Sequence, residues 1–478
     1  MPTHIANGPS HPADLSFWLR VREYAVPPAM IETATTRRHA GDWAGACAAA
    51  GVDVDLDLRS VSRVHGRERA ARIRADLRAL APDLLRWHMP RIAPDGLLRP
   101  GLTIALARYD APTPDGPPPL YLVARTPPAW ADAGQRISLA LWDGSTEPAP
   151  RLHPHPHPSR RHRLDLHRHL WDAHRSAELR PRSACALPAQ GDPYPYPYEH
   201  GTHPEHRAPA VHQWAAEARI LLRAEGRPAG PVVVRLDSRR RLLLDVSPEG
   251  APACPPPRIT TVPLRDTHRG LPLLPDAAVW VPPDVELLRA GLLGPDRLHP
   301  LVAAALVPGH VPAGPPVTTE PPGGPRFVDC RGARHRIALV DGVLVALDHD
   351  PREIHREELL VALTGTPLPC LRAIDEAHRH PDCLSGVRER LDHGDVAGAL
   401  AVVEGLLGPD AVLRGGALRD ELEAAARRRI DHGLYRAGLA GPGPGPGPGP
   451  RPGPHPVQQR VSARRRRRRR HRRRATVR

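Results

Sequence analysis

With 478 residues the chain is long enough for two or three domains that each bury a core, but 62 Pro and 40 Gly reserve a large share of it for loops and linkers. It contains no Lys, so each of its 67 basic residues is Arg; Schiff-base chemistry, a P-loop phosphate Lys and a kinase-type nucleotide Lys are excluded as self-contained activities. The net charge of +15 sits at one end, because residues 451–478 hold thirteen Arg and no acid and leave 54 Arg against 52 acids, or +2, elsewhere, which describes an appended arm and not a broad basic groove.

The first residues lack a charged start followed by an apolar run, and no segment approaches the length of a membrane span, so the expectation is a soluble cytoplasmic protein with no membrane association. Six scattered Cys at 47, 185, 254, 330, 370 and 383 fit reduced thiols. Residues 13–89 read as helical: Ile73, Leu77, Leu80 and Leu84 recur at spacings of three and four, and Pro82 is placed to start or kink the last turn. TIALARYD, PLYLVARTP and RISLALWDG follow as three short runs between Pro and Gly clusters, which predicts a three-stranded meander and a first α+β module over 13–144.

Residues 145–210 break this pattern with HPHPHP at 153–158, a His-rich stretch expected to be helical to about 179, and YPYPY at 194–198; they read as a linker or insert. A second α+β module is expected over 211–440. It begins with a short helix, two strand-like runs flanking Asp237 and Ser238, and a helix between Asp284 and Leu306. RHRIALV and VLVALD then form a hairpin around Asp341-Gly342, a pair suited to a type I′ turn, and helices resume over 352–440. GDWAGACA at 41–48 and GDVAGALA at 394–401 share the pattern GDxAGAxA; over these eight residues each is similar to the second half of a tetratricopeptide-like helical hairpin, without the 34-residue repeat that family requires. The fold class expected is α+β, helical segments with short antiparallel meanders in two modules, plus a Pro/His-rich linker and a disordered basic tail.

Five clusters offer ligand or binding chemistry. On a helix from Leu164, His167, Leu170, Trp171 and His174 would share a face, which suggests adventitious metal affinity without a built site. Cys370, His378, His380 and Cys383 have the residue types of a Cys2His2 site, but Cys370 and His378 on one helix stand about 12 Å apart, so no metal is expected there and Cys370 reads as a buried thiol near a helix start. EHGTHPEH at 199–206 lacks the HExxH order, and Pro204 breaks any helix. Asp348 and Asp350 flank His349 after a strand and read as a polar connection; YPYPY favours polyproline II and reads as an exposed linker. No nucleophile elbow or Gly-rich phosphate loop is present; no cofactor is expected, and the sequence assigns no catalytic residues and leaves open whether the chain is an enzyme.

The clearest binding element is the arm. GPGPGPGPGP at 441–450 has period two, is not collagen, and leads to Arg464, Arg465, Arg466, Arg467, Arg468, Arg469, Arg470, Arg472, Arg473 and Arg474. These guanidiniums grip phosphate through paired N–H groups, and no aromatic lies between Pro456 and Arg478 to stack bases, so non-specific, salt-sensitive contact with nucleic acid or another polyanion is expected. The same composition follows from GC-rich coding alone. The leading expectation is a non-enzymatic protein that associates with polyanions through this arm. The alternatives are a protein-interaction scaffold built on the helical hairpins and an enzyme whose site forms only on folding.

Overall fold

Proline and glycine cut the N-terminal helical stretch into six short helices: α1 (Ala13–Tyr24), α2 (Pro28–His39), α3 (Trp43–Ala49), α4 (Leu58–His65), α5 (Arg67–Ala79) and α6 (Pro82–His88). The computed structural model describes residues 13–109, 119–131, 135–144, 153, 155–183, 208–237, 239–248, 258–261, 270–311, 326–330, 332–340, 343–364, 368–379, 384–407, 413 and 415–439. Pro28 and Pro82 occupy the first turn of their helices, where a missing N–H is harmless. Asp42 and Asp57 cap α3 and α4, accepting from Gly45 N at 2.8 Å and Ser60 N at 2.9 Å. Ile73, Leu77, Leu80 and Leu84 are all buried, as their spacing requires.

The expected meander is present as β4 (Thr103–Arg108), β5 (Tyr121–Arg125) and β6 (Ile137–Trp142), preceded by a small hairpin of β2 (Arg91–Ile92) and β3 (Leu97–Leu98). A fourth strand, β1 (Val52–Val54), pairs in parallel with β6 and gives the sheet order β1-β6-β5-β4. Three residues are too few to show a period in sequence, which is why β1 was not anticipated.

The His-rich stretch expected as linker is built into this core. Ser159 N donates to Thr103 O at 2.7 Å and Asp165 N to Ala105 O at 2.8 Å, so these backbone groups edge β4 and cannot join a helical ladder. Beyond them the chain makes two 3-10 turns, Arg168–Leu170 and Ala173–Leu179, in place of the expected α-helix, and Trp171 is completely buried with its indole N–H donating to Leu164 O at 3.0 Å.

Next, α7 (Val211–Ala224), β7 (Gly230–Arg235), β8 (Arg241–Val246), β9 (Arg258–Thr261) and α8 (Asp276–Val279) enclose a second core around Trp214, Leu221, Val232 and Leu244. The single helix expected between Asp284 and Leu306 is two, α9 (Pro283–Arg289) and α10 (Pro300–Leu306), because Gly291, Gly294, Pro295 and Pro300 interrupt it. Val285, Leu287 and Val302 from this stretch pack into the same core as Ile73 and Trp171, so that core draws on chain from both sides of residue 211.

The chain then forms β10 (Arg326–Cys330), β11 (Ala333–Val340) and β12 (Val343–Ala346), followed by α11 (Pro351–Thr364), α12 (Pro369–Arg379), α13 (Leu384–Asp392), α14 (Val396–Leu407) and α15 (Ala417–Arg436). The hairpin of β11 and β12 closes at Val340↔Val343, as the Asp341-Gly342 signal predicts; the two turn residues lie outside the described set. The fold class is thus α+β with small antiparallel sheets. Among the described residues no helix is long and apolar enough to cross a membrane.

Candidate metal centre

In an antiparallel ladder, directly opposed residues share a face and every second residue returns to it. Cys330 opposes Ala333 and Val328 opposes His335. Cys330, Val328, His335 and Ile337 therefore project from one side of the sheet, and the pairing Ile337↔Ala346 adds Leu344 and Ala346 from β12. The connection between β10 and β11 is tight, with Gly332 at φ +81°, a conformation that a β-carbon would strain. It sets Cys330 and His335 side by side.

Helix α12 covers this face: Leu368, Cys370, Leu371, Ala373 and Ile374 pack on Cys330, Ile337 and their neighbours. Cys370 stands in the first turn of α12 and is fully buried, as is Cys330. His349 arrives from the turn after β12, held on both sides. Asp348 accepts from the backbone N of Arg336 at 2.7 Å and from its guanidinium at 2.8 Å, while Asp350 accepts from Arg352 N at 2.9 Å and starts α11. The two acids that the sequence presented as a polar connection fix the backbone around the histidine between them.

One donor atom from each of Cys330, His335, His349 and Cys370 lies within 4.8 Å of the others. His335 Nδ1 is 2.7 Å from His349 Nε2 and 3.8 Å from Cys370 Sγ, and the imidazoles meet edge to face with centroids 4.2 Å apart. A tetrahedral zinc with bonds of about 2.0–2.3 Å requires ligand atoms roughly 3.3–3.8 Å apart, so the cluster needs only small side-chain adjustments to enclose an ion. Burial pushes the Cys370 thiol up to about 11, and Cys330 beside it adds to the rise; two thiols and two imidazoles crowd one point, a donor set whose natural complement is a divalent cation. His349 Nδ1 lies 3.6 Å from the Glu353 carboxylate one helical turn on, the kind of outer partner that orients a ligating imidazole.

Of the tetrad weighed in the sequence, the fold uses Cys370 alone, with partners from 21 to 40 residues upstream. His380, Cys383 and the side chain of His378 lie outside the described residues, as do EHGTHPEH, YPYPY and the arm from Arg464 to Arg474. The local signal that pointed to the true cluster was C-x4-H across a Gly-containing hairpin. Of the neighbouring histidines, His167 and His169 serve packing, with His167 Nε2 3.2 Å from Glu217, His169 Nδ1 3.3 Å from the Arg182 guanidinium and both rings buried, while His174 is exposed. Cys47 is likewise a core residue, its thiol pushed up to about 12 by burial and by Asp42. Comparison with protein-family models, with curated proteins and with solved structures finds no match to this chain.

Proposed function

We propose that residues 326–379 form a zinc-binding module in which Cys330, His335, His349 and Cys370 ligate one Zn2+ in a closed, structural site. The observation that carries this reading is the convergence of the four donor atoms within 4.8 Å. Two sulfurs and two imidazole nitrogens favour zinc over the oxygen-seeking cations. Four protein ligands leave no open position for a reacting water, which separates this site from a hydrolytic one. A disulfide between Cys330 and Cys370 would occupy the sulfurs, but it gives no reason for two imidazoles to be steered to the same point.

The test is metal analysis of the full chain after exposure to equimolar zinc, paired with the absorption spectrum of its cobalt form. About one ion per chain, intense tetrahedral cobalt bands, and loss of both in Cys370→Ala and His335→Ala are expected. Stoichiometric protein free of zinc, or two thiols found oxidised to a disulfide in freshly prepared reduced buffer, contradicts the proposal.

A second reading concerns the arm and rests on the segregation of charge, thirteen Arg in residues 451–478 beside a remainder of +2. The arm would attach the chain to nucleic acid or a similar polyanion without sequence preference. Deleting residues 441–478 is expected to abolish a nucleic-acid mobility shift that is strong at low salt and weak at physiological salt; an unchanged shift refutes this role.

A further inference from the structure

Arg91 is a buried cation without a counter-ion. Its side chain is 1% exposed, and its guanidinium donates to two backbone carbonyls, Arg86 O at 2.7 Å and Gly96 O at 3.4 Å, while Nε has no partner. No carboxylate reaches it among the described residues. Burial, with Arg86 and Arg22 close by, pushes its pKa well below the usual guanidinium range, which expresses the same electrostatic discomfort. Leaving such a charge uncompensated in the interior is costly.

Arg91 lines a cavity of about 100 Å³ between α6, the 160–182 segment and the start of α9. Four more guanidiniums reach the same space from separate parts of the chain: Arg22, Arg99, Arg161 and Arg182. Three are neutralised from behind, Arg22 by Asp284 at 2.7 Å, Arg161 by Asp276 at 3.2 Å and Arg182 by Glu217 at 2.8 Å. Asp276 is the one acid that itself lines the cavity, and Arg91 is left with no carboxylate of its own. His88 also lines the cavity: its Nδ1 lies 3.1 Å from two carbonyls, Leu84 O and Leu170 O, so that nitrogen carries the proton and Nε2 is an acceptor that adds no attraction for an anion. The remaining wall is apolar, with Trp18, Trp87, Ile104, Leu164 and Leu170.

We propose that this cavity binds a small organic anion, a carboxylate on an apolar body, with the carboxylate compensating Arg91 and the apolar part against Trp87 and Leu170. A paired guanidinium fork suits a planar carboxylate, and the mixed lining is that of a site for a small molecule and not for a bare ion. The site is remote from the Cys330 cluster in composition and in the segments that build it, so its fate is independent of the zinc proposal.

Calorimetric titration of the full chain with benzoate, with neutral benzamide and with inorganic phosphate tests this at fixed ionic strength. Saturable binding of benzoate, at least tenfold weaker binding of benzamide and of phosphate, and a further loss of at least tenfold for benzoate in Arg91→Met are expected. Arg91→Met should also melt no lower than wild type without ligand, because it removes an unpaired buried charge; a purely structural Arg91 predicts a lower melting temperature. Arg99→Met, on the same wall, is the second variant and should weaken benzoate in the same direction. Equal binding of benzoate and benzamide, tighter binding of phosphate, or no benzoate heat overturns the proposal, as does benzoate affinity unchanged in both variants.

Discussion

The core around Ile73, Leu85 and Trp171 draws apolar side chains from helices, sheet and the 281–306 stretch, and three of its tryptophans are buried. Among the described residues the core beneath α12 has four buried members, Cys330, Ile337, Leu368 and Cys370, and two of them are candidate ligands. The first can rest on hydrophobic burial alone, at about 25 cal/mol per Å². The second is too small for that, and a metal cross-link is the usual means by which so small a core is held. On the proposed reading, one chain uses buried area where it has residues to spend and coordination where it does not.

Removing the ligands should separate the regions most sharply. Structural zinc supplies about 10–16 kcal/mol of binding free energy that appears as folding free energy, so Cys330→Ala or strong chelation should collapse amide protection over 326–379. Protection of α5, α6 and β4–β6 should persist, as read by hydrogen exchange. The converse variant, Trp171→Ala, truncates a fully buried side chain and should cost about 3–5 kcal/mol, lowering the melting of the large core whether or not zinc is bound. If both variants lower both regions equally, the distinction fails.

Acid should act next, and on the large core. Burial drives His88 and His162 down to about 4, and burial with Arg91 and Arg86 nearby drives His393 down to about 3. The unfolded chain binds these protons near pH 6.5 and the folded chain does not, so stability falls as pH drops below about 6.5 and the loss continues to about pH 3. Denaturant unfolding of metal-free protein across that range checks the sign; His88→Phe should flatten the slope.

The smallest expected effect links the body to the C-terminal helices through the GDxAGAxA pattern. In both copies a Gly at positive φ, Gly41 or Gly394, precedes an Asp that caps the following helix. Asp42 accepts from Gly45 N at 2.8 Å and Asp395 from Gly398 N at 2.9 Å, and each also pairs with an Arg five residues earlier, Arg37 or Arg390. A β-carbon at Gly45 or Gly398 would stand 2.1 Å from the capping carboxylate, which explains the glycine at that place in both. Asp42→Ala and Asp395→Ala should each cost about 0.5–2 kcal/mol in thermal or denaturant unfolding, and a large inequality would mean the two corners are not equivalent.

Much of this was legible in the sequence because it is local. The spacing of Ile73 and Leu77, the Pro and Gly breaks around the meander, and Asp341-Gly342 all act within one element or turn. The four-residue cluster was not, since Cys330, His335, His349 and Cys370 are spaced C-x4-H-x13-H-x20-C and converge only when strand register sets Cys330 beside His335 and α12 docks over them. The His-rich stretch misled for the opposite reason: its local composition suggested a linker, while backbone bonds to Thr103 and Ala105, far away in sequence, bind it to the sheet. The cavity around Arg91 takes Arg residues from three separated stretches, at Arg22, Arg91 to Arg99, and Arg161 to Arg182, and leaves no pattern in any of them.

The most direct test of the account is hydrogen exchange over 326–379 in metal-free full-length protein titrated with Zn2+. Protection of these residues should rise to a plateau at one equivalent while that of α5, α6 and β4–β6 stays unchanged. Protection already complete without metal, or unaltered through several equivalents, would contradict the claim that coordination holds this module together.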